Sequence, residues 1–314
     1  MDPQNAVVAR GVAQRPITRL EREEVTVRLD TLVVEEPLEI RVDGETVATT
    51  MRTPGQDGEL ALGFLFAEGI IEGAADVGSV AHCGRHGEEG YGNVIDVHSA
   101  GGHRIDPERV LEGRRWAPPT SACGVCGRRT IEDLLSRARP VDPELRVPRS
   151  LLTAAQEALR SRQPIFARTG GLHAAAILDT TGAVLAAAED VGRHNAVDKA
   201  VGQLVRSGLL GRAQGQPAEA APERAGGLGG RGASPQHDVR GGGEPRPAVL
   251  AVSGRAGFEI VQKAAAAGVP VVASVSAPSS LAAELADRAS IALAGFVRGE
   301  ACNVYTHAWR LGIS

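Results

Sequence analysis

From position 183 onward, short apolar runs alternate with amphipathic segments of helical length, and this repetition constrains the fold more than any other feature of the chain. Residues 183–188 read as a strand, about 195–207 as a helix, 248–252 as a strand and 257–267 as a helix. Strand 269–275, helix 280–289 and strand 291–296 follow. A further strand over 172–178 precedes them across a turn at Asp179-Thr180-Thr181-Gly182. Repeated strand–helix–strand units predict an α/β fold, a mostly parallel sheet with helices on both faces. Crossover connections bring the carboxyl ends of parallel strands to one sheet edge, where ligands bind. The loops 189–195, 253–257, 276–280 and 297–300 would leave those ends. The first three precede helix starts, which offer free N–H groups and a positive dipole end. Arg193, Arg255 and Arg298 add charge, so an anionic ligand is expected there; ordinary turns and caps are the competing reading of any single loop.

The alternation is interrupted once. Residues 211–247 hold 10 glycines and 5 prolines in 37 positions, with five arginines against four acids. Such a stretch lacks the apolar surface to offset its ordering entropy and is read as a disordered insertion between a helix and its next strand. A glycine–arginine segment can bind RNA, but this one carries no aromatic residue, so a plain linker is the preferred reading. The whole chain has 9 aromatic residues in 314 and a net charge of −4, which argues against a nucleic-acid-binding surface.

Ahead of this region the pattern is less regular. Residues 38–42 alternate apolar and charged side chains; Asp43-Gly44 then suits a two-residue hairpin turn before a partner strand over 46–51. Thr53-Pro54-Gly55-Gln56 resembles a capping box ahead of an almost wholly apolar, buried helix that Gly69 would end. Helices are also read over 130–138 and 151–160. The predicted organisation is an N-terminal tail over 1–36, a smaller α+β domain over 37–115, a cysteine loop with its following helix over 116–140, and the α/β domain over 141–314. Residues 1–36 show no signal-peptide core, and no stretch reaches the roughly 18 apolar residues of a membrane span. The expectation is a cytoplasmic protein with reduced thiols and no membrane partner.

Four cysteines in this setting call for a chemical or packing reason. The sharpest is Ser121-Ala122-Cys123-Gly124-Val125-Cys126-Gly127-Arg128-Arg129. A helix N-terminus and two guanidinium groups favour thiolate over thiol, so at least one thiol pKa should be depressed. The two glycines keep the loop mobile. Three chemistries compete: a persulfide carrier, a dithiol–disulfide oxidoreductase, and half of a zinc site. His86-Gly87-Glu88 gives the zinc reading one pointed form, since H-x-E with Cys-x-x-Cys is the pattern of nucleobase deaminases. Ala122 stands where those enzymes place proline, and the surrounding glycines make a poor helix. Cys83, with His82 and His86, is read as a loop with two surface histidines in preference to a metal cluster, and Cys302 as a small buried residue. His173 is read either as orienting a ligand or as a hydrogen-bonded core residue. Asp190, Arg193, His194 and Asp198 are read either as a structural network or as ligand contacts.

Taken together, the motifs resemble the FdhD family, the formate dehydrogenase accessory sulfurtransferases. The resemblance rests on Arg52-Thr53-Pro54-Gly55, Cys123-Gly124-Val125-Cys126 and Thr169-Gly170-Gly171-Leu172-His173. It continues through Glu189-Asp190-Val191-Gly192-Arg193-His194-Asn195, Ser253-Gly254-Arg255, Val275-Ser276-Ala277-Pro278 and Asn303-Val304-Tyr305-Thr306-His307. It implies a sulfurtransferase that takes sulfur from a cysteine desulfurase as a persulfide. The sulfur then passes to the molybdenum bis(molybdopterin guanine dinucleotide) cofactor before insertion into formate dehydrogenase. Cys123 would carry the persulfide and Cys126 would assist. The cofactor-contacting stretch aligns with Phe296, Val297, Arg298, Gly299, Glu300 and Ala301; relatives often have Gly-Arg where this chain has Glu300-Ala301. The resemblance further implies a cytidine-deaminase-like sheet in the C-terminal domain, a homodimer and no resident metal. A cofactor-binding chaperone without sulfur transfer is the alternative function.

Overall fold

The computed structural model describes residues 11–84, 91–101, 105, 135, 138–139, 141–211 and 245–313. Among these are three sheets. The largest has six strands in the order β12-β11-β10-β9-β7-β8. Its members are β7 (His173–Asp179), β8 (Val184–Asp190), β9 (Pro247–Val252), β10 (Val271–Ser274), β11 (Ala292–Arg298) and β12 (Ala301–Thr306). Only β9–β10 and β10–β11 pair in parallel; β7–β8, β7–β9 and β11–β12 are antiparallel. The mostly parallel sheet expected from the alternation is therefore a mixed one. The tight turn at Asp179, whose Oδ1 accepts from the Thr181 and Ala183 amides at 2.8 and 2.9 Å, makes β7 and β8 a hairpin. Strand β7 then slots between β8 and β9. Because β7 runs against both neighbours, β8 still points the same way as β9, β10 and β11. The carboxyl ends of these four strands consequently meet at one edge, as the alternation required.

Successive side chains of the central strands face opposite layers, which divides the core in two. On one face Ala175, Ile177, Leu250, Val252, Val272 and Leu293 pack under α1 (Asp57–Ala67), α4 (Arg193–Arg206), α5 (Phe258–Ala266) and α6 (Ser280–Arg288). On the other, Ala174, Ala176, Leu178, Ala251 and Ala273 pack against α2 (Ser150–Ser161). A short α3 (Phe166–Thr169) leads into β7. Buried Arg310 ties the C-terminal end to the segment before α2, donating to the Ser290, Asp142 and Leu145 carbonyls at 2.8–3.0 Å. Its guanidinium pKa is lowered by burial.

A four-stranded sheet, β4-β3-β6-β5, lies beyond α1. It comprises β3 (Glu36–Val42), β4 (Glu45–Arg52), β5 (Val77–His82) and β6 (Val94–Ser99). The β3–β4 hairpin turns at Asp43 and Gly44, both at positive φ (49° and 84°), as a two-residue turn demands. The expected capping box is not formed. Helix α1 starts at Asp57 after a left-handed Gln56, with no side-chain cap. Thr53 is drawn away because its Oγ1 accepts from the Val191 amide at 3.3 Å, across the molecule. Helices α1 and α4 cross at unusually close range. A Cβ on Gly63 would fall 1.8 Å from the Asp198 carbonyl oxygen, and one on Gly202 would fall 1.8 Å from that of Glu59. Two glycines thus set the spacing between the sheets.

The third sheet is a two-stranded ribbon, β1 (Val12–Glu21) and β2 (Glu24–Val33), where the sequence reading placed a tail. Val25, Val27 and Leu29 alternate with polar residues after Arg22-Glu23, the period of a strand. Of the segment read as an insertion, Gly211 and residues 245–247 are described and 212–244 lie outside the described residues. No helix among the described residues is long and apolar enough to cross a membrane.

Candidate functional site

The shared sheet edge is built around Asp190, the last residue of β8, which is fully buried. Its Oδ2 lies 2.7 Å from the Lys199 ammonium and accepts from the Thr53 amide at 3.1 Å. Its Oδ1 accepts from the Gly192 amide at 2.8 Å and from Asn195 Nδ2 at 3.0 Å. Lys199 also donates to the Thr53 carbonyl at 2.9 Å, and Asn195 to that of Met51 at 2.7 Å. Every lone-pair direction of Asp190 is thereby occupied, and the loop 190–195 is riveted to the end of β4. Of the two sequence readings of Asp190, the structure supports the structural network. Asp198 belongs to a second buried pair, 2.6 Å from Lys263 of α5. Burial pushes its carboxyl up to about 6, against the pull of the Lys263 ammonium.

With the loop fixed, α4 begins at Arg193 behind an extended Gly192. His194 Nδ1 sits 2.7 Å from Glu259 Oε2, which binds the first turn of α4 to the first turn of α5. Arg193 is half-buried, and its Nε has no hydrogen-bond partner among the described residues. Gly254 closes in beside it: a Cβ there would lie 3.2 Å from His173 Nδ1 and 3.8 Å from Arg193 Cβ. The first residue of β7, His173, pairs with Asp190 across the ladder. Burial, then the charges of Arg193 and His194, hold its imidazole below the ordinary histidine range. A neutral ring beside an under-used guanidinium is the result.

The remaining loops are tied in sequence to this point. Ser253 completes the ladder, donating its amide to the Ala174 carbonyl and accepting the Ala174 amide on Oγ. Buried Ser274 Oγ lies 2.7 Å from the Gly254 carbonyl and 2.9 Å from that of Ser276. Ser279 caps α6 by accepting the Ala282 amide at 3.2 Å. Gly295 has no room for a side chain, because Pro278 Cδ, the Ser276 carbonyl and Tyr305 Cε2 all stand 3.0 Å from where a Cβ would sit. The next residue, Phe296, adopts φ 54° and donates its amide to Ser276 at 3.3 Å.

Of the stretch expected to contact a cofactor, Phe296, Arg298, Gly299, Glu300 and Ala301 are exposed, and the Val297 side chain points into the core. The Gly299 carbonyl accepts from Thr153 of α2 at 2.8 Å, which anchors the β11–β12 tip. Arg255 is exposed as well. The edge therefore gathers backbone amides at three helix starts with Arg193 and Arg255, a surface suited to an anion. Cys123 and Cys126 lie outside the described residues, as do Arg128, Arg129, His86 and Glu88. The helix read over 130–138 does too, apart from Leu135 and Ala138. Downstream of the cysteines, Leu135 packs against the core and its carbonyl accepts the Ala138 amide at 3.2 Å, and the chain is then anchored at Arg139. Its amide donates to the Ala265 carbonyl at 3.0 Å, and its guanidinium stacks 4.9 Å from the Phe66 ring. Among the described residues no three His, Cys, Asp or Glu side chains are grouped to hold a metal.

Sequence reasoning gave Thr53 only a helix-capping role and assigned Lys199 and Lys263 no role of their own. A lysine within an apolar helix face is the one signal that could have marked the last two, since an unpaired ammonium is not buried.

The family model for the FdhD/NarQ family matches residues 33–215 and 238–312. A sulfur carrier protein FdhD from Anaeromyxobacter dehalogenans is 60% identical over 285 residues, covering 91% of this chain and 90% of its own. One from Mycobacterium tuberculosis is 44% identical over 309 residues, covering 96% and 99%. A crystal structure of a candidate formate dehydrogenase accessory protein from Desulfotalea psychrophila superposes with a TM-score of 0.66 at 20% identity, covering 96% and 99%. The gap in the family match, 216–237, falls inside the segment read as an insertion. With identity this high over nearly the full length, and with the Glu189–Asn195 loop at the centre of the site, the chain belongs to the FdhD/NarQ family.

Proposed function

We propose that this protein is a sulfur carrier that serves formate dehydrogenase, with Cys123 as the persulfide-bearing residue. The observation that carries the reading is near-full-length identity of 44–60% to proteins named sulfur carrier protein FdhD, in a chain that holds a Cys-x-x-Cys pair followed by two arginines. In the first step the Cys123 thiolate attacks the outer sulfur of a persulfide on a cysteine desulfurase. A new S–S bond forms on Cys123, the donor cysteine leaves as a thiolate, and no net oxidation occurs. In the second step the outer sulfur passes to the molybdenum bis(molybdopterin guanine dinucleotide) cofactor, which is the cargo. In this step the Cys126 thiolate attacks the inner sulfur of the Cys123 persulfide, hydrosulfide leaves to the cargo, and the Cys123–Cys126 disulfide that forms is returned to two thiols by a cellular dithiol reductant.

The sheet edge supports the cargo's docking. A bis-guanine-dinucleotide carries two pyrophosphates, and the site presents helix N-termini with Arg193 and Arg255. Phe296 offers an exposed ring to a guanine, with Arg298 two positions on. Chain length permits the cysteines to reach this edge. Residue 139 is anchored at the carboxyl end of α5, and the edge lies at its amino end, about 14 Å away for nine helical residues. The nine positions from Cys126 to Leu135, which packs against the core, span up to about 30 Å when extended.

Incubation with a cysteine desulfurase and cysteine should add about 32 Da to Cys123, seen by intact-mass and peptide mass spectrometry. Cys123→Ala should lose the adduct and leave formate dehydrogenase inactive in cells. Full formate dehydrogenase activity with Cys123→Ala would instead establish a cofactor chaperone that transfers no sulfur.

A further inference from the structure

Two ion pairs stack between α4 and α5, and sulfur transfer as proposed uses neither. His194 Nδ1 lies 2.7 Å from Glu259 Oε2, and Asp198 Oδ1 lies 2.6 Å from the Lys263 ammonium. His194 and Asp198 are four positions apart on α4, as are Glu259 and Lys263 on α5, so each helix presents one turn of charge to the other. The inner rung is buried, with the Lys263 and Asp198 side chains 6% and 4% exposed. Phe64 of α1 closes that end, its ring 5.9 Å from the Lys263 ammonium. The outer rung meets solvent, with His194 26% and Glu259 19% exposed. It does so in the first turns of both helices, one residue beyond Arg193 at the shared sheet edge.

Where Glu259 points matters to an anion at this edge. Helices α4 and α5 each start behind an extended glycine, Gly192 and Gly257, with no side-chain cap, whereas α6 is capped by Ser279. A glutamate in the first turn is drawn to the N-terminus of its own helix, where its carboxylate repels any other anion. Here that carboxylate is turned sideways onto His194. We infer that His194 and Glu259 are positioning residues for an anionic ligand at the edge: the imidazolium holds the Glu259 carboxylate against α4, and on losing its proton frees it toward the α5 N-terminus, so that docking weakens. The inference rests on the docking reading of the cargo and adds control of that site by a proton. Histidine is the side chain that changes charge between about pH 5 and 8. Around the pair stand Arg193 and Asp198 on α4, Lys263 on α5 and His173 on β7, with Glu68 just past α1 beyond the inner rung. Arg193 and Lys263 stay cationic through this range. Burial raises the Asp198 carboxyl to about 6 and lowers the His173 imidazole, but both groups remain when His194 is replaced, so their effect is common to parent and variant.

The test is calorimetric titration of the full chain with diguanosine pyrophosphate, a diester whose own charge is constant from about pH 5.5 to 8.5. The parent should bind about tenfold more weakly at the alkaline end, and near neutrality should take up protons on binding, seen as a heat that depends on the buffer's ionisation enthalpy. His194→Gln should bind throughout about as weakly as the parent does at the alkaline end, with most of the slope gone. Glu259→Gln, which removes the carboxylate to be held aside, should bind at the alkaline end about as tightly as the parent does at the acid end. Simple loss of structure would weaken both variants, so their opposite signs mark positioning. A parent that binds with no pH dependence overturns the inference and leaves the docking reading standing. Glu259→Gln binding no tighter than the parent at the alkaline end, or His194→Gln keeping the parent's slope, does the same. A parent that binds the probe at no pH overturns the docking reading and the inference with it. If His194→Gln loses its far-UV circular dichroism, Glu259→Gln decides alone.

Discussion

At the scale of single residues, burial of charge dominates. Asp190 and Lys199 are both almost wholly excluded from solvent, and each is the other's main compensation. Removing one partner of such a pair leaves an uncompensated ion. Asp190→Asn should lower stability by about 3–5 kcal/mol, read from urea denaturation at pH 7. It should also release the Arg193 turn, because Gly192 and Asn195 lose a charged acceptor. His173 gives a pH signature. Burial holds its pKa below 6.5 in the folded protein, so the unfolded chain binds its proton first as pH falls. Stability from this residue is complete above about 6.5 and is lost on acidification through the folded pKa. The His173 imidazole should titrate below its ordinary midpoint by NMR. His173→Gln should flatten the stability loss below pH 6.5 by up to about 1.4 kcal/mol per pH unit. An unchanged slope would place His173 outside the buried edge.

At the scale of elements, the decisive contact is the crossing of α1 over α4. Gly63 and Gly202 each face the other helix's backbone with no space for a methyl group. Gly202→Ala should force the helices apart and cost about 3 kcal/mol or more, measured by thermal and urea unfolding. The equivalent change at exposed Gly101, where nothing lies within 4 Å, should cost under about 1 kcal/mol. Apart from the short α3, the helices and central strands from 150 onward were legible from periodicity, with ends within about two residues, because the amphipathic helices bury one face on the sheet and the central strands are apolar throughout. Strand β12 was not, since its alternation of exposed and half-covered residues is short and no position in it is buried. The pairing of β7 was also hidden: strand existence is a local property, whereas neighbour order depends on what the tight turn at Asp179 allows.

At the scale of the whole molecule, α1 and α4 join the four-stranded and six-stranded sheets through one continuous apolar cluster. Asp190 and Lys199 rivet the same seam through Thr53, just past β4: Asp190 accepts its amide and Lys199 donates to its carbonyl. The two sheets should therefore lose protection together. In Gly202→Ala, amide exchange in β3 and β6 should speed up by the same factor as in β9 and β10. Acceleration confined to one sheet would show that they open independently.

The linear order of residues was enough to determine that strand–helix units would set several strand ends at one edge and that Arg193 and Arg255 would stand there. Those conclusions rest on period, turn chemistry and spacing, which are local. Only the tertiary structure decided that Asp190 is spent on Lys199, Thr53 and Asn195, that Thr53 serves β8 and not the start of α1, and that residues 12–33 form a ribbon with an uncovered apolar face. Each of these depends on which distant groups arrive within hydrogen-bonding or van der Waals range. A buried charge or an apolar face takes its role from the neighbour it finds, and that neighbour lies as far as 168 positions away along the chain.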